Sequence, residues 1–437
     1  MDFFSLDFII FFSIALFVYY IISPRKRRQW LHIVNFSFWL TQTYFTLILA
    51  GLCLLFDLFL LRKSSKSNSY LGNSLIFLPY IVLIFVYYFF PLPSEQLNAS
   101  LYPSAMTNRF LPCGLFVMCF QSIRNINLIR NGRVSLNDLS FSSWVKMQLF
   151  FISYYCGPIN NLDYFASEVK GERTFSFDSI VMGFKLLFWA LLKKMVIADR
   201  LLYYMTSYSN GSVAISGVSD LLVAIFVPFF YITFTVGAYC SLGKSLGYFL
   251  GINILRNIDI YAYLTGIGNF WSRWIITLKQ TLDEIFIDYK YCKLIVYSLL
   301  LFINLMIFNK SSYVFYFLPF FAIFIYLDFY FQENAYFNSR AITITVKLFS
   351  FVLISLFWNI SFLHSFPNLE LIGKFNSLSY FNNSDFLIFF IILIVIVQHI
   401  LRRKLKSIKF YDSSQFEDIS LVGVVFLGYF VLMFGVF

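Results

Sequence analysis

The stretch Phe270–Leu278, FWSRWIITL, sets two tryptophans around a serine and an arginine, and apolar residues follow at once. An arginine so close to long apolar runs is costly unless it faces a cavity, a partner or the headgroup layer. Trp271 and Trp274 can pack on either side of Arg273. Arg273 therefore reads either as a functional charge or as an interfacial anchor. Lys193 and Lys194, shortly before Asp199, could approach an acidic phosphate or snorkel from a helix end. Histidine is scarce: the three are His32, His364 and His399. Ser/His/Asp and Cys/His arrangements meet that shortage at once. His32 follows a basic cluster and reads as a headgroup contact, whereas His364 and His399 sit beside predicted spans, where either could be recruited as a base. Six cysteines lie singly with no CxxC pair, so neither a zinc site nor a disulfide framework is indicated.

The elements that must position these residues are membrane helices. The chain has 437 residues, 59% hydrophobic and only 13% charged. A soluble domain would carry about twice that charged fraction. Apolar runs of roughly 20 residues recur along the whole length, which predicts an all-α polytopic membrane protein. The 59 Phe and 30 Tyr could suggest an aromatic-girdled barrel, but barrels read as short alternating segments and these runs are continuous. The net charge of +11 is gathered in clusters beside the runs, such as Arg25–Arg28 and Arg62–Lys66. Positive-inside loops and anionic headgroups explain such clusters, so the expected partner is the bilayer and not nucleic acid.

In chain order, residues 3–22 predict an uncleaved first span, with Asp2 and Asp7 before it and RKRR after it placing the N-terminus outside. Residues 31–61 could be one long helix or a short helix plus a span, and 75–92 form the next span. Between about 98 and 175 the apolar stretches look short and broken, as tolerated only where protein or a cavity covers them. Spans are expected at 179–199, 221–236 and 238–254. The stretch 255–291 then holds FWSRW, with Arg273, Lys279, Asp283, Glu284 and Asp288 able to line one side of an interfacial helix. Further spans at 293–308, 313–331, 343–363, 386–400 and 420–437 bring the expectation to roughly eleven. The whole reads as one integral-membrane domain: peripheral N-terminal helices over 1–97, a motif-bearing core over 98–331 and C-terminal helices over 332–437.

From about residue 98 onward the chain resembles the membrane-bound O-acyltransferases, in the bacterial branch acting on cell-surface polymers. Leu111-Pro112-Cys113-Gly114 with Phe120-Gln121 is similar to the family's LPxG segment and downstream FQ. Gly157-Pro158-Ile159 matches its GPI motif, and residues 191–199 (LLKKMVIAD) match KKxxxAD. Tyr239, Leu250-Gly251-Ile252, Asn257 and Tyr261 stand at the family's spacing ahead of FWSRW. Trp358 resembles the tryptophan that opens its WxxFR-like segment. The resemblance implies a ring of helices around a central funnel in the cytoplasmic (inner) membrane. An acyl thioester donor, acyl-CoA or acyl carrier protein, would enter from the cytoplasm, and an acceptor hydroxyl would come from outside. Trp271, Arg273, Trp274, Tyr239, Lys193 and Lys194 would line the funnel or contact substrate. No bound cofactor and no metal is implied; the implied partners are an acyl carrier protein and an extracytoplasmic acyltransferase or other envelope protein.

The chain departs from the family where the chemistry should be. Ile275 follows Trp274 in place of the usual histidine. Asn309 stands where the family's second, more critical histidine would be, and Thr235 and Ser241 replace its acidic positions. No histidine occurs between His32 and His364. Asn309 can hold a hydroxyl but cannot take its proton near neutral pH, or it simply caps a span. Three readings stay open: acyl transfer to a hydroxyl of an envelope glycan or lipid; a catalytically silent relative serving as scaffold or partner subunit; and a transporter or flippase.

Overall fold

Ser5 begins the first helix by accepting a hydrogen bond from the Phe8 amide at 3.2 Å, and α1 runs Leu6–Ile21. Pro24 then occupies the first turn of α2, Pro24–Leu40, where its missing N–H costs nothing. The computed structural model describes residues 2–64, 78–89, 113–132, 141–155, 157–167 (except 163 and 166), 176–203, 218–259, 267–285 and 345–356 (except 346). All regular structure among these residues is helical. After α2 come α3 (Tyr44–Ser64), α4 (Leu78–Phe89), α5 (Cys113–Arg130) and α6 (Phe141–Gln148). The second half of the described chain holds α7 (Phe177–Leu191), a π-helical segment (Leu192–Ala198), α8 (Val218–Leu250), α9 (Ile267–Trp274), α10 (Ile276–Ile285) and α11 (Lys347–Leu356).

Residues 31–61 thus resolve into a short helix that starts basic, followed by a span, with the break at Thr41–Thr43. Tyr44–Arg62 and Ile225–Leu250 are each long and apolar enough to cross a membrane. The outer faces of α1 and α3 are apolar: Leu6, Ile10, Ile14 and Phe17, then Ile48, Leu55 and Phe59, are all exposed. A soluble chain rarely leaves so continuous an apolar surface in water, whereas lipid covers it at no cost. The spans expected at 293–308, 313–331, 386–400 and 420–437 lie outside the described residues.

Three expectations change. The stretch 113–130, expected to be short and broken, is one unbroken helix, and the Arg124 side chain within it is paired inside the protein. The two spans expected at 221–236 and 238–254 are one helix, α8. Gly237 lies between the two expected spans, and one glycine costs only about 1 kcal/mol in a helix, less than the broken backbone bonds of an interruption away from water. The helix stops instead at Gly251, whose φ of 68° is open to glycine; the Ile252 amide reaches back to the Gly247 carbonyl at 2.8 Å. The stretch around FWSRW is two short helices, not one interfacial helix with a charged side.

By contact density the chain divides into two units. The first comprises Met1–Gly183, Tyr239–Ile258 and Ile275–Lys310; the second comprises Phe184–Ala238, Asp259–Trp274 and Ser311–Phe437. In the first unit, Phe3, Phe8, Phe38 and Phe151 form an aromatic centre with ring centroids 4.5–6.4 Å apart. Tyr19 and Tyr20 donate to the carbonyls of Leu250 (3.1 Å) and Phe249 (2.6 Å), binding the end of α1 to the end of α8. In the second unit, Phe351 of α11 stacks on Phe226 (5.1 Å) and meets Phe229 edge-on (5.3 Å).

Asp57, fully buried within α3, holds three other elements together. Its carboxylate accepts from Tyr80 Oη of α4 (2.5 Å), from Trp144 Nε1 of α6 (2.8 Å) and from Gln148 Nε2 (3.4 Å). Gln148 also donates to Ser122 Oγ of α5 at 2.7 Å. Removing the carboxylate leaves several buried donors without a partner, each costing about 1–3 kcal/mol. Asp57→Ala is expected to lower the unfolding midpoint in detergent by more than Asp57→Asn, which keeps an acceptor; equal losses would show that the network does not hold these helices.

Candidate functional site

In the first unit the polar residues converge on the segment Gly157–Asn160, which has no regular structure of its own. Its backbone groups are buried and must be satisfied by side chains. The Ile159 amide donates to Thr277 Oγ1 of α10 at 2.9 Å, and that hydroxyl donates onward to Asn257 Oδ1 at 2.6 Å. Asn257 Nδ2 donates to the Gly157 carbonyl at 3.1 Å, and the Ile276 amide donates to the Asn257 carbonyl at 2.7 Å. From α5, Asn125 Nδ2 donates to the Asn160 carbonyl at 3.1 Å while its Oδ1 accepts from the Leu162 amide at 2.8 Å. Gly157 has no room for a side chain, because a Cβ there would lie 2.1 Å from Ser153 Cα.

Arg124 completes the clamp. It is 6% exposed and reaches Glu284 of α10 through two parallel bonds, 2.8 Å from Nε and 2.6 Å from Nη2, while Nη1 donates to the Ile159 carbonyl at 2.8 Å. This fork is the geometry in which a guanidinium is best satisfied away from water. Beside it Gln121 is fully buried, and among the described residues neither its Oε1 nor its Nε2 has a hydrogen-bond partner.

The second unit holds most of the residues singled out from the sequence. Trp271 and Trp274 of α9 are fully buried, with Phe270 meeting their rings at 5.0 and 5.2 Å. Arg273 does not lie between them. One and two positions away on a helix point elsewhere, so Arg273 turns outward, its side chain 44% exposed, and meets Asp259 Oδ2 at 3.4 Å. The Asp259 amide also donates to the Arg273 carbonyl at 2.9 Å. Lys193 and Lys194 are buried, at 5% and 7% exposure, inside the π-helical segment. Lys194 forms an ion pair with Asp199, and Lys193 lies 5.2 Å from the Trp189 ring centroid. They are therefore not snorkelling from a helix end: the chain continues helically through Asp199 to Tyr203. Single π turns are frequent at functional positions.

Tyr239 stands in the first unit. Its hydroxyl donates to the Asp2 carboxylate, 2.8 and 2.9 Å from the two oxygens, and its ring stacks on Tyr155 at 5.3 Å. Asn309, His364, His399 and Trp358 lie outside the described residues. Among the described residues no group of three His, Cys, Asp or Glu side chains could hold a metal ion. The residues missed from the sequence are Arg124, Asn125, Thr277 and Glu284, along with the partner role of Asp259. An arginine inside an apolar helix was the available signal for Arg124; its acid lies 160 positions away, which no local pattern reveals.

With this geometry in place, two kinds of curated relative can be compared. Peptidoglycan O-acetyltransferase of Helicobacter pylori is 25% identical over 163 residues, covering 37% of this chain and 31% of that protein. The probable alginate O-acetylase AlgI of Pseudomonas fluorescens is 24% identical over 189 residues, covering 43% and 37%; that of Azotobacter vinelandii is 25% identical over 194 residues, covering 44% and 37%. Over these stretches the chain is similar to a peptidoglycan O-acetyltransferase and to probable alginate O-acetylases. The matched stretches span only about a third of the relatives' own length, and no protein-family profile matches the chain. With the relationship, the composition and the apolar helices together, the chain is a helical membrane protein related to acyltransferases of cell-envelope polysaccharides.

Two outcomes follow for the clamp. Arg124→Ala, which strands Glu284, is expected to cost about 3–5 kcal/mol, and the apolar pair Arg124→Met with Glu284→Leu to recover most of it. Gln121→Met removes two unsatisfied polar atoms and should leave stability unchanged or raise it by about 1 kcal/mol. Thermal unfolding of the detergent-solubilised variants checks both.

Proposed function

We propose that this protein transfers an acyl group from a cytoplasmic thioester, acyl-CoA or acyl carrier protein, to a hydroxyl of a cell-envelope glycan or lipid. The observation that carries this reading is the relationship to two kinds of envelope-polymer O-acetyltransferase. The family motifs running in order from Gly157 to Trp274 support it. On this reading roughly eleven spans surround a funnel in the inner membrane, with the N-terminus outside. Lys193 and Lys194 then stand toward an acidic phosphate of the donor, and Trp271, Arg273, Trp274 and Tyr239 shape the funnel or its rim. An extracytoplasmic acyltransferase is the fitting partner for handing the acyl group on.

Proton abstraction from the acceptor needs a base whose pKa lies near the working pH. Asn309 would orient the hydroxyl without taking its proton, which leaves His364 and His399 as the bases to consider. The specific observation favouring a second reading is the replacement of both family histidines, by Ile275 and Asn309. That is what a catalytically silent relative retained as a scaffold or partner subunit would carry.

Incubating the purified protein with a radiolabelled acyl thioester and an envelope glycan fraction separates the two. Acyl transfer is expected, with a loss of at least about 100-fold on replacing the one residue that serves as base, in line with general-base contributions. Absence of turnover, with an envelope protein co-purifying, would establish the scaffold reading instead.

A further inference from the structure

Arg28 and His32 are one turn apart on α2, and Phe36 and Leu40 continue the same i, i+4 row. The row is basic at its start and apolar at its end. Phe36 and Leu40 are 58% and 57% exposed, and Arg28 is exposed too. A third basic group comes from α6. Trp39 Nε1 donates to the Leu149 carbonyl at 2.9 Å and the Phe151 amide to Asn35 Oδ1 at 3.2 Å, which binds the chain just after α6 against α2. Lys146 thereby comes within electrostatic reach of both His32 and Arg28.

Among the described residues no acid forms an ion pair with any of these three groups. Neither α2 nor α6 contains an acid. On α1 the end that meets α2 is neutral: Trp30 Nε1 donates to the Ala15 carbonyl at 2.9 Å, and Arg27 lies over the Tyr19 and Tyr20 rings at 5.1 and 5.3 Å. Asp57 meets α6 through Trp144 and Gln148, and its carboxylate is taken up by those side chains and Tyr80; Asp7 lies in the first turn of α1 and Asp2 on Tyr239. Burial, then Lys146 and Arg28, push the half-buried His32 imidazole down to about 4. Lys146 is lowered as well, by burial first and by Arg28 second. His32 Nε2 is buried without a hydrogen-bond partner. Three mutually repelling groups with a vacant imidazole nitrogen form a receptor for an anion, and the exposed apolar end of the row suits a hydrocarbon chain.

We propose that the α2–α6 edge binds one acidic phospholipid, its phosphate among Arg28, His32 and Lys146 and an acyl chain along Phe36 and Leu40. A lipid fits better than a free phosphate because the cation cluster and the exposed apolar pair Phe36 and Leu40 are continuous. Binding here ties the interfacial helix to the leaflet whose charge it matches.

The full chain in phosphatidylcholine nanodiscs, with and without phosphatidylglycerol, tests this by native mass spectrometry and by NMR of a His32 label, using the folded fraction of each variant. Phosphatidylglycerol is expected to be retained and to raise the His32 titration toward its ordinary range, since an anion favours the protonated ring. Arg28→Gln with Lys146→Gln should weaken retention roughly 25-fold, about five-fold per cation. Arg25→Gln with Lys26→Gln makes the same charge change on α2 and should leave retention unchanged. Equal loss from both pairs would mean diffuse surface charge and overturn the site. An unmoved His32 titration would overturn the phosphate placement, and an equal shift from inorganic phosphate alone would overturn the lipid assignment.

Discussion

The first unit depends on the need to satisfy buried backbone where no helix can do it. Gly157–Asn160 runs through protein without regular structure, and every exposed peptide group there would cost more in a bilayer than in water. The Gly157, Ile159 and Asn160 carbonyls and the Ile159 amide are met by Asn257, Arg124, Asn125 and Thr277. Those four side chains come from α5, from the turn after α8 and from the start of α10. The positions of these elements are thus set by one short stretch of chain. Arg124 can be buried in α5 only because Glu284 and the Ile159 carbonyl satisfy its fork. The same logic places Asp57: a carboxylate inside a span is tolerable because Tyr80, Trp144 and Gln148 all donate to it.

The second unit solves a different problem, that of carrying cations in apolar surroundings. Lys193 and Lys194 are buried where α7 widens into a π-helical turn. The wider turn carries one extra residue, which shifts the register of every side chain after it. Lys194 gains Asp199 as a counter-ion, and Lys193 gains the Trp189 ring. On α9 the division of labour is set by helical spacing. Positions 271 and 274 share a face and go inward together, while 273 turns out toward Asp259. A tryptophan pair bracketing an arginine in sequence need not bracket it in space.

What could be read from the sequence followed from local rules. The apolar runs gave helices, and the motifs singled out residues such as Gly157 and Asn257 one at a time. The clamp itself was not legible, because its pairs are long-range: Arg124 with Glu284, Thr277 with Ile159, Asn257 with Gly157. Nothing in the local pattern around Glu284 distinguishes a buried ion-pair partner from a solvated charge. Two helices are more continuous than the sequence pattern suggests. Arg124 did not break α5 and Gly237 did not break α8, because away from water the backbone bonds of a continuous helix outweigh both the weak propensity of glycine and the presence of one paired charge.

The placement of the family motifs bears on what their resemblance can mean. Gly157 is excluded from carrying a Cβ by Ser153, Asn257 ties the Gly157 carbonyl, the Ile276 amide and the Thr277 hydroxyl, Lys194 and Asp199 pair with each other, and both tryptophans of FWSRW are fully buried. Each of these residues has a holding task that would be required whether or not acyl transfer takes place. Their match to the family therefore reports the fold. The departures from the resemblance fall elsewhere, at Ile275 and Asn309, where its two histidines would stand. A scaffold held by interlocking pairs resists change at every member, since losing one partner strands the other. A residue that serves only a reaction has no such partner to keep it, so such a position can change without stranding a member of the pairs that hold the scaffold.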